Sequence, residues 1–164
     1  MSENLLIGLG TMAVCFVIQG AAVSVLLRTL FALEQKHIIR PGIIRSTVIL
    51  LVVMLLLFAG NLVQISLWAY LFLALGQFEE FHTAFYFSMV NFTTLGYGDL
   101  VMSEDRRLLG ALEAANGVLM FGLSTSVLYS VVRVLIDRAW RQLTERGGIT
   151  GRADARRDSG ERSH

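Results

Sequence analysis

The sequence predicts an all-α membrane protein with three transmembrane helices, and with a short re-entrant helix and a polar loop between the second and third. Three observations predict it. Of 164 residues, 54% are hydrophobic and only 16% are charged, too apolar for an ordinary water-soluble domain. The apolar residues gather in runs at 5–27, 46–75 and 108–136, each long enough for the roughly 20 residues that cross a bilayer. Between the last two runs lies Thr93-Thr94-Leu95-Gly96-Tyr97-Gly98-Asp99, a polar stretch that cannot continue a helix. Irregular backbone at membrane depth leaves N–H and C=O groups without partners, and it persists only inside protein or along a water-filled route.

The first run, within a helix assigned to 1–33, carries no charge and has Gln19 as its clearly polar residue. A cleaved leader is the competing reading, but Met1-Ser2-Glu3-Asn4 lacks a basic start and the run exceeds a usual leader core. Gly8, Gly10, Gly20, Ala21 and Ala22 allow close packing on a neighbouring helix. Cys15 is the single cysteine, so neither an intrachain disulfide nor a paired-cysteine metal site follows. His37, His82 and His164 are scattered and suggest no metal centre.

A charged connector, 34–45, holds the single proline, and Pro41-Gly42 marks a turn. The second run, 46–75, is longer than the bilayer core requires, which calls for tilt or extension beyond it. Its polar residues Asn61 and Gln64 are read as interhelical hydrogen-bond partners. Trp68 and Tyr70 fall toward the outer end, where aromatic residues anchor at the interface. A linker, 76–81, with Glu79 and Glu80 leads to 82–92, which is too short to span and is read as re-entrant. Acidic residues near its start suit the positive end of a helix dipole, and its carboxyl end turns carbonyls toward a cation.

The third run, 108–136, contains Gly117 and Gly122. Each glycine costs about 1 kcal/mol relative to alanine in a helix. Close packing on a neighbour and a hinge are both readings of that cost. Glu113 is the one carboxylate well inside a span. A charge there costs about 2.5–3.5 kcal/mol, so it is expected to face protein, bonded to Ser88, Asn91 or a backbone group, with the neutral acid allowed. In the tail, 139–164, the helix is expected to continue to 146, to end at Gly147-Gly148, and to give way to disorder. Arg138, Arg141 and Arg146 could meet anionic headgroups, although a solvated tail is the expected state.

In the polar loop, Gly96 and Gly98 alternate with Leu95 and Tyr97. Glycine reaches positive φ at little steric cost, so alternate glycines let successive carbonyls turn to one side. A column of such oxygens can replace a cation's hydration shell, with the Thr94 hydroxyl at its inner end. The competing reading, a turn that happens to spell these residues, is disfavoured by the flanking spans. On these residues the segment resembles the selectivity filter of the potassium channel family, in which four T-V-G-Y-G loops surround the ion. The likeness covers roughly 46–136, a bacterial-type two-helix pore assigned to 46–138, with the first helix as an addition.

The resemblance implies that Thr94, Leu95, Gly96 and Tyr97 hold K+ through main-chain oxygens and the Thr94 hydroxyl. Thr93, Gly98, Asp99, Tyr86, Phe87 and Glu113 would support that filter. Gly117 would be a hinge of the inner helix, and Val118, Phe121, Gly122, Thr125 and Tyr129 would belong to the hinge and cavity region. It further implies a homotetramer in a lipid bilayer, with permeant K+, no cofactor, no enzymatic activity and no nucleic-acid partner. Four departures from the family pattern are visible: Leu95 for valine, Tyr86 and Phe87 where tryptophans are frequent, Val90 where some members carry glutamate, and Met102 where many carry proline. No helix carries arginine at every third position, which speaks against a voltage sensor, and residues 137–164 are not expected to form a sizeable soluble domain.

Charge distribution adds orientation. Lys36, Arg40 and Arg45 lie in the connector, Arg133 lies at the end of the last span and Arg138 and Arg141 follow it, whereas the loops around the filter carry Glu79, Glu80, Asp99, Glu104 and Asp105 against Arg106 and Arg107. The excess of basic residues marks the cytoplasmic side, so the amino terminus is expected outside and the carboxyl terminus inside a plasma or inner membrane. A non-selective cation channel of the same architecture is one alternative. A transporter subunit or non-conducting regulatory partner is another, disfavoured because the chain has one nearly complete loop rather than four related ones.

Overall fold

The structure, a computed structural model, describes residues 2–35 and 43–161. The described residues form four α-helices: α1 (Ser2–Gln35), α2 (Ile43–Ala74), α3 (Phe81–Phe92) and α4 (Arg107–Glu161). Three segments are long and apolar enough to cross a membrane, Ser2–Thr29, Ser46–Ala74 and Arg107–Asp137. α3 is short and lies between the second and third of them. This is an all-α membrane architecture. The expected connector turn at Pro41-Gly42, with Lys36 and Arg40, lies outside the described residues.

The chain divides into two compact units, Met1–Val127 and Leu128–His164. The first holds α1, α2, α3, the polar loop and the first part of α4. The second is the remainder of α4. Helix continues there to Glu161, past Gly147-Gly148, where the sequence places its end. Two glycines lower helix propensity by only about 1 kcal/mol each, and the arginines, alanines and glutamate around them favour helix.

Within the first unit, contacts fix how α1 lies. Asn4 hydrogen-bonds the Asp105 carbonyl and the Arg106 side chain, a methyl at Gly8 would meet Leu112 and Leu109, Cys15 faces Asn116, and Gln19 bonds Ser124. The numbers rise together, so α1 runs parallel to the start of α4. Against α2 they run oppositely: Cys15 faces Trp68 and Gln19 bonds Gln64. Of the small residues expected to allow close packing, Gly8 is used against α4, while Gly10 and Gly20 have open space beside them.

Lipid tails are as apolar as leucine, so burial from water does not hold these helices together. Dispersion and interhelical hydrogen bonds do. Gln64 Nε2 donates to Gln19 Oε1 at 2.8 Å, and Gln19 Nε2 donates to Ser124 Oγ at 3.0 Å, a buried amide seam across α2, α1 and α4. Trp68, expected at the interface, is instead fully buried. It packs on Phe72, with ring centroids 5.8 Å apart, because α1 covers that face of α2. Tyr70 does remain exposed, against Phe81.

α2 ends in a glycine-centred cap. Gln77 N–H donates to the Phe72 carbonyl and Gly76 N–H to the Leu73 carbonyl, with Gly76 at φ +66°, the Schellman pattern that satisfies the last helical carbonyls. The Gln77 side chain then accepts from Ser103 N–H and Oγ–H at 3.1 and 2.8 Å. This reversal turns α3 back against α2, where Phe87 meets Phe72 edge-on at 5.5 Å and Phe78 at 4.9 Å.

Candidate functional site

The polar loop hangs from the carboxyl end of α3. Helix ends leave carbonyls without intrahelical partners, and here the following residues take them. Thr93 N–H and Oγ–H both donate to the Met89 carbonyl, at 3.1 and 2.7 Å. Thr94 N–H reaches the Asn91 carbonyl at 2.8 Å, and Leu95 and Gly96 N–H share the Val90 carbonyl at 2.9 and 3.3 Å. The inner half of the loop is thereby pinned to the helix before it.

Beyond the helix the backbone alternates in hand. Thr94, Gly96 and Gly98 have φ of +59°, +58° and +75°, while Leu95 and Tyr97 do not enter the positive region. Glycine adopts positive φ at little steric cost, which L side chains resist. Positive φ at Gly96 and Gly98 was legible from residue type. Thr94 was not: a β-branched residue at positive φ is a genuine outlier, and such outliers cluster at functional sites.

The outer half is held differently. Tyr86 Oη donates to Asp99 Oδ2 at 2.8 Å, and Leu100 N–H donates to Asp99 Oδ1 at 3.1 Å. The bond to the Asp99 carboxylate raises the Tyr86 phenol above its ordinary value. Leu95 and Tyr97 point away from the chain's own core, 55% and 67% exposed.

Behind α3, Glu113 is fully buried and in hydrogen-bond contact with Ser88 Oγ, which also lies 2.8 Å from the Ile65 carbonyl. Phe87 is buried between α2 and α3, while Tyr86 is exposed. Gly117 lies against the last carbonyl of α3: a Cβ there would overlap the Phe92 oxygen. Glycine at 117 therefore has a packing reason. Gly122 has open space around it. Val118 and Phe121 are exposed on α4, with Phe121 edge-on to Phe92 at 5.7 Å. The Thr125 hydroxyl bonds the Phe121 carbonyl. Tyr129, in the second unit, is exposed.

Sequence reasoning left Asn116 and the Asn4–Arg106 clasp unremarked. Asn116 is fully buried and faces Cys15 of α1. Its spacing of three from Glu113, which puts both on one helix face, was the available signal. Among the described residues no cluster of His, Cys, Asp or Glu could hold a metal ion.

Two helices long and apolar enough to span a membrane bracket a short helix and a loop in which positive φ alternates. The family model described as "Ion channel" matches residues 50–134, the stretch from α2 through the loop into α4, and the chain belongs to the ion channel family. No curated protein and no solved structure matches it.

Proposed function

We propose that the chain is one subunit of a homotetrameric, potassium-selective channel that conducts passively across the plasma or inner membrane. The observation that carries this reading is the alternation of φ at Thr94, Gly96 and Gly98, which suits a column of oxygens offered to a bare cation. In this reading Thr94, Leu95, Gly96 and Tyr97 are the ligands, through main-chain oxygens and the Thr94 hydroxyl. Thr93, Gly98, Asp99, Tyr86, Phe87 and Glu113 hold the loop. Gly117, Val118, Phe121, Gly122, Thr125 and Tyr129 form the hinge and wall of the inner cavity.

One loop cannot surround an ion, so the exposed Leu95 and Tyr97 side chains are assigned to contacts among four copies around a shared axis. Ions at adjacent sites repel one another and so keep moving, which makes conduction passive and independent of any cofactor. The filter mouth and the amino terminus are assigned to the outside and the carboxyl terminus to the cytoplasm. The bond from Asn4 to Asp105 supports this by placing the start of α1 beside the loop that leaves the filter.

The test is the reversal potential of the purified protein in liposomes under a K+/Na+ gradient. A potential that follows the K+ gradient is expected. One that follows Na+ equally selects the non-selective channel, and no flux under any condition selects the non-conducting partner.

A further inference from the structure

We infer that Glu113 is a neutral acid that donates its proton to Ser88, in a directed relay from Glu113 through Ser88 to the Ile65 carbonyl that positions α3, and with it the filter. The consequence for ion selection rests on the potassium reading above. The relay itself rests on counting hydrogens.

Ser88 Oγ lies 2.8 Å from the Ile65 carbonyl oxygen and in hydrogen-bond contact with Glu113 Oε1. A hydroxyl has one hydrogen to give, and a carbonyl has none. If that hydrogen points to Ile65, the contact with Glu113 needs a second one, and Glu113 is the only group there that can carry it. If it points to Glu113, the Ser88 and Ile65 oxygens face each other with no hydrogen between them. The second arrangement also leaves a fully buried carboxylate with one donor. Its Oε2 has no partner, and no basic side chain pairs with it among the described residues. The titratable neighbour from α1 is Cys15, which brings no positive charge. A buried carboxylate so poorly compensated takes up a proton instead.

The relay ties α4 to α3 and α3 to α2 at one point. Ser88 stands two residues before Val90, whose carbonyl holds Leu95 and Gly96 N–H. Glu113 is thus a positioning residue: it touches no ion, yet it fixes the helix from which the ligands hang. A neutral acid does this without placing a negative charge behind the pore helix.

Two measurements on the full chain in liposomes test the inference. Infrared difference spectra between wild type and Glu113→Gln are expected to show loss of a carboxylic-acid C=O band. Glutamine keeps a neutral donor toward Ser88, so Glu113→Gln is expected to hold the K+/Na+ permeability ratio within about twofold, whereas Ser88→Ala lowers it about tenfold, the size of one lost buried hydrogen bond. Loss of a carboxylate band instead, or a Glu113→Gln channel as unselective as Ser88→Ala, overturns the relay. Should Ser88→Ala fail to fold, the infrared band still decides. A wild-type channel that passes Na+ as readily as K+ strikes the potassium reading instead, and leaves the band to judge the relay.

Discussion

At the scale of single residues, two glycines on α4 make opposite predictions. Gly117 touches the Phe92 carbonyl and Gly122 touches nothing within van der Waals reach of its own chain. Gly117→Ala must therefore push α3 away, an overpacking cost of about 1–3 kcal/mol, and is expected to lower both thermal stability and K+ flux. Gly122→Ala is expected to leave thermal stability nearly unchanged or slightly raised, since alanine favours helix. Melting curves of the two proteins in the same detergent check the contrast. In the loop, Gly96→Ala places a side chain at φ +58°, which costs an L-residue roughly 1–2 kcal/mol. In the proposed tetramer, that is expected to abolish the proposed preference for K+ over Na+ in the reversal-potential assay, and an unchanged ratio contradicts the ligand assignment. Tyr86 supplies a pH dependence. Its phenol value is raised by the bond to Asp99, so the bond is fully present below the ordinary tyrosine value of about 10 and is lost as pH climbs through the raised one. If the loop is the proposed filter, the K+/Na+ permeability ratio of wild type is expected to fall above that range. Tyr86→Phe is expected to show the lowered ratio at neutral pH already.

At the scale of elements, most of the architecture was legible because length and hydropathy are blunt signals. The helices start within a few residues of the apolar runs, and α3 was distinguished by being too short to span. What the sequence hid is what depends on partners. Trp68 reads as an interfacial anchor until α1 is laid over it. Gln19 reads as a stray polar residue until it is seen between Gln64 and Ser124. The continuation of α4 past Gly147-Gly148 was hidden for a different reason: breaker residues weigh heavily in a single-sequence reading, although their energies are small. The seam gives an element-scale prediction. Gln19→Leu removes two buried hydrogen bonds and leaves the Gln64 amide facing hydrocarbon. At roughly 0.6 kcal/mol per interhelical bond in membranes, a loss of about 1–2 kcal/mol is expected in reversible detergent unfolding. No measurable change would mean that α1 is held by shape alone.

At the scale of the whole molecule, α1 makes this chain more than a two-helix pore. Cys15 and Gln19 cover Trp68, Gln64 and Asn116, so removal of residues 1–29 would uncover polar side chains that lipid cannot solvate. The truncated chain is expected to assemble poorly, as measured by native mass in detergent, although it retains every residue the ion channel family model matches. In the loop, Gly96 and Gly98 were readable because their chemistry is local: glycine announces a backbone of positive φ. Of the shell behind them, the buried Glu113 against Ser88 was readable, whereas Asn116 and Cys15 acquire meaning only when three helices meet.

The two attachments of α1 differ in physical kind. At its start, Arg106 reaches Glu3 at 3.4 Å in a largely exposed ion pair, which added electrolyte screens over about 8–10 Å. Deeper, the glutamine seam carries no net charge, so neither ionic strength nor the electric field across the bilayer acts on it appreciably. Raising salt should therefore loosen only the Glu3 contact and leave Gly8 and Gln19 seated, an anchor that a change in membrane voltage does not dislodge.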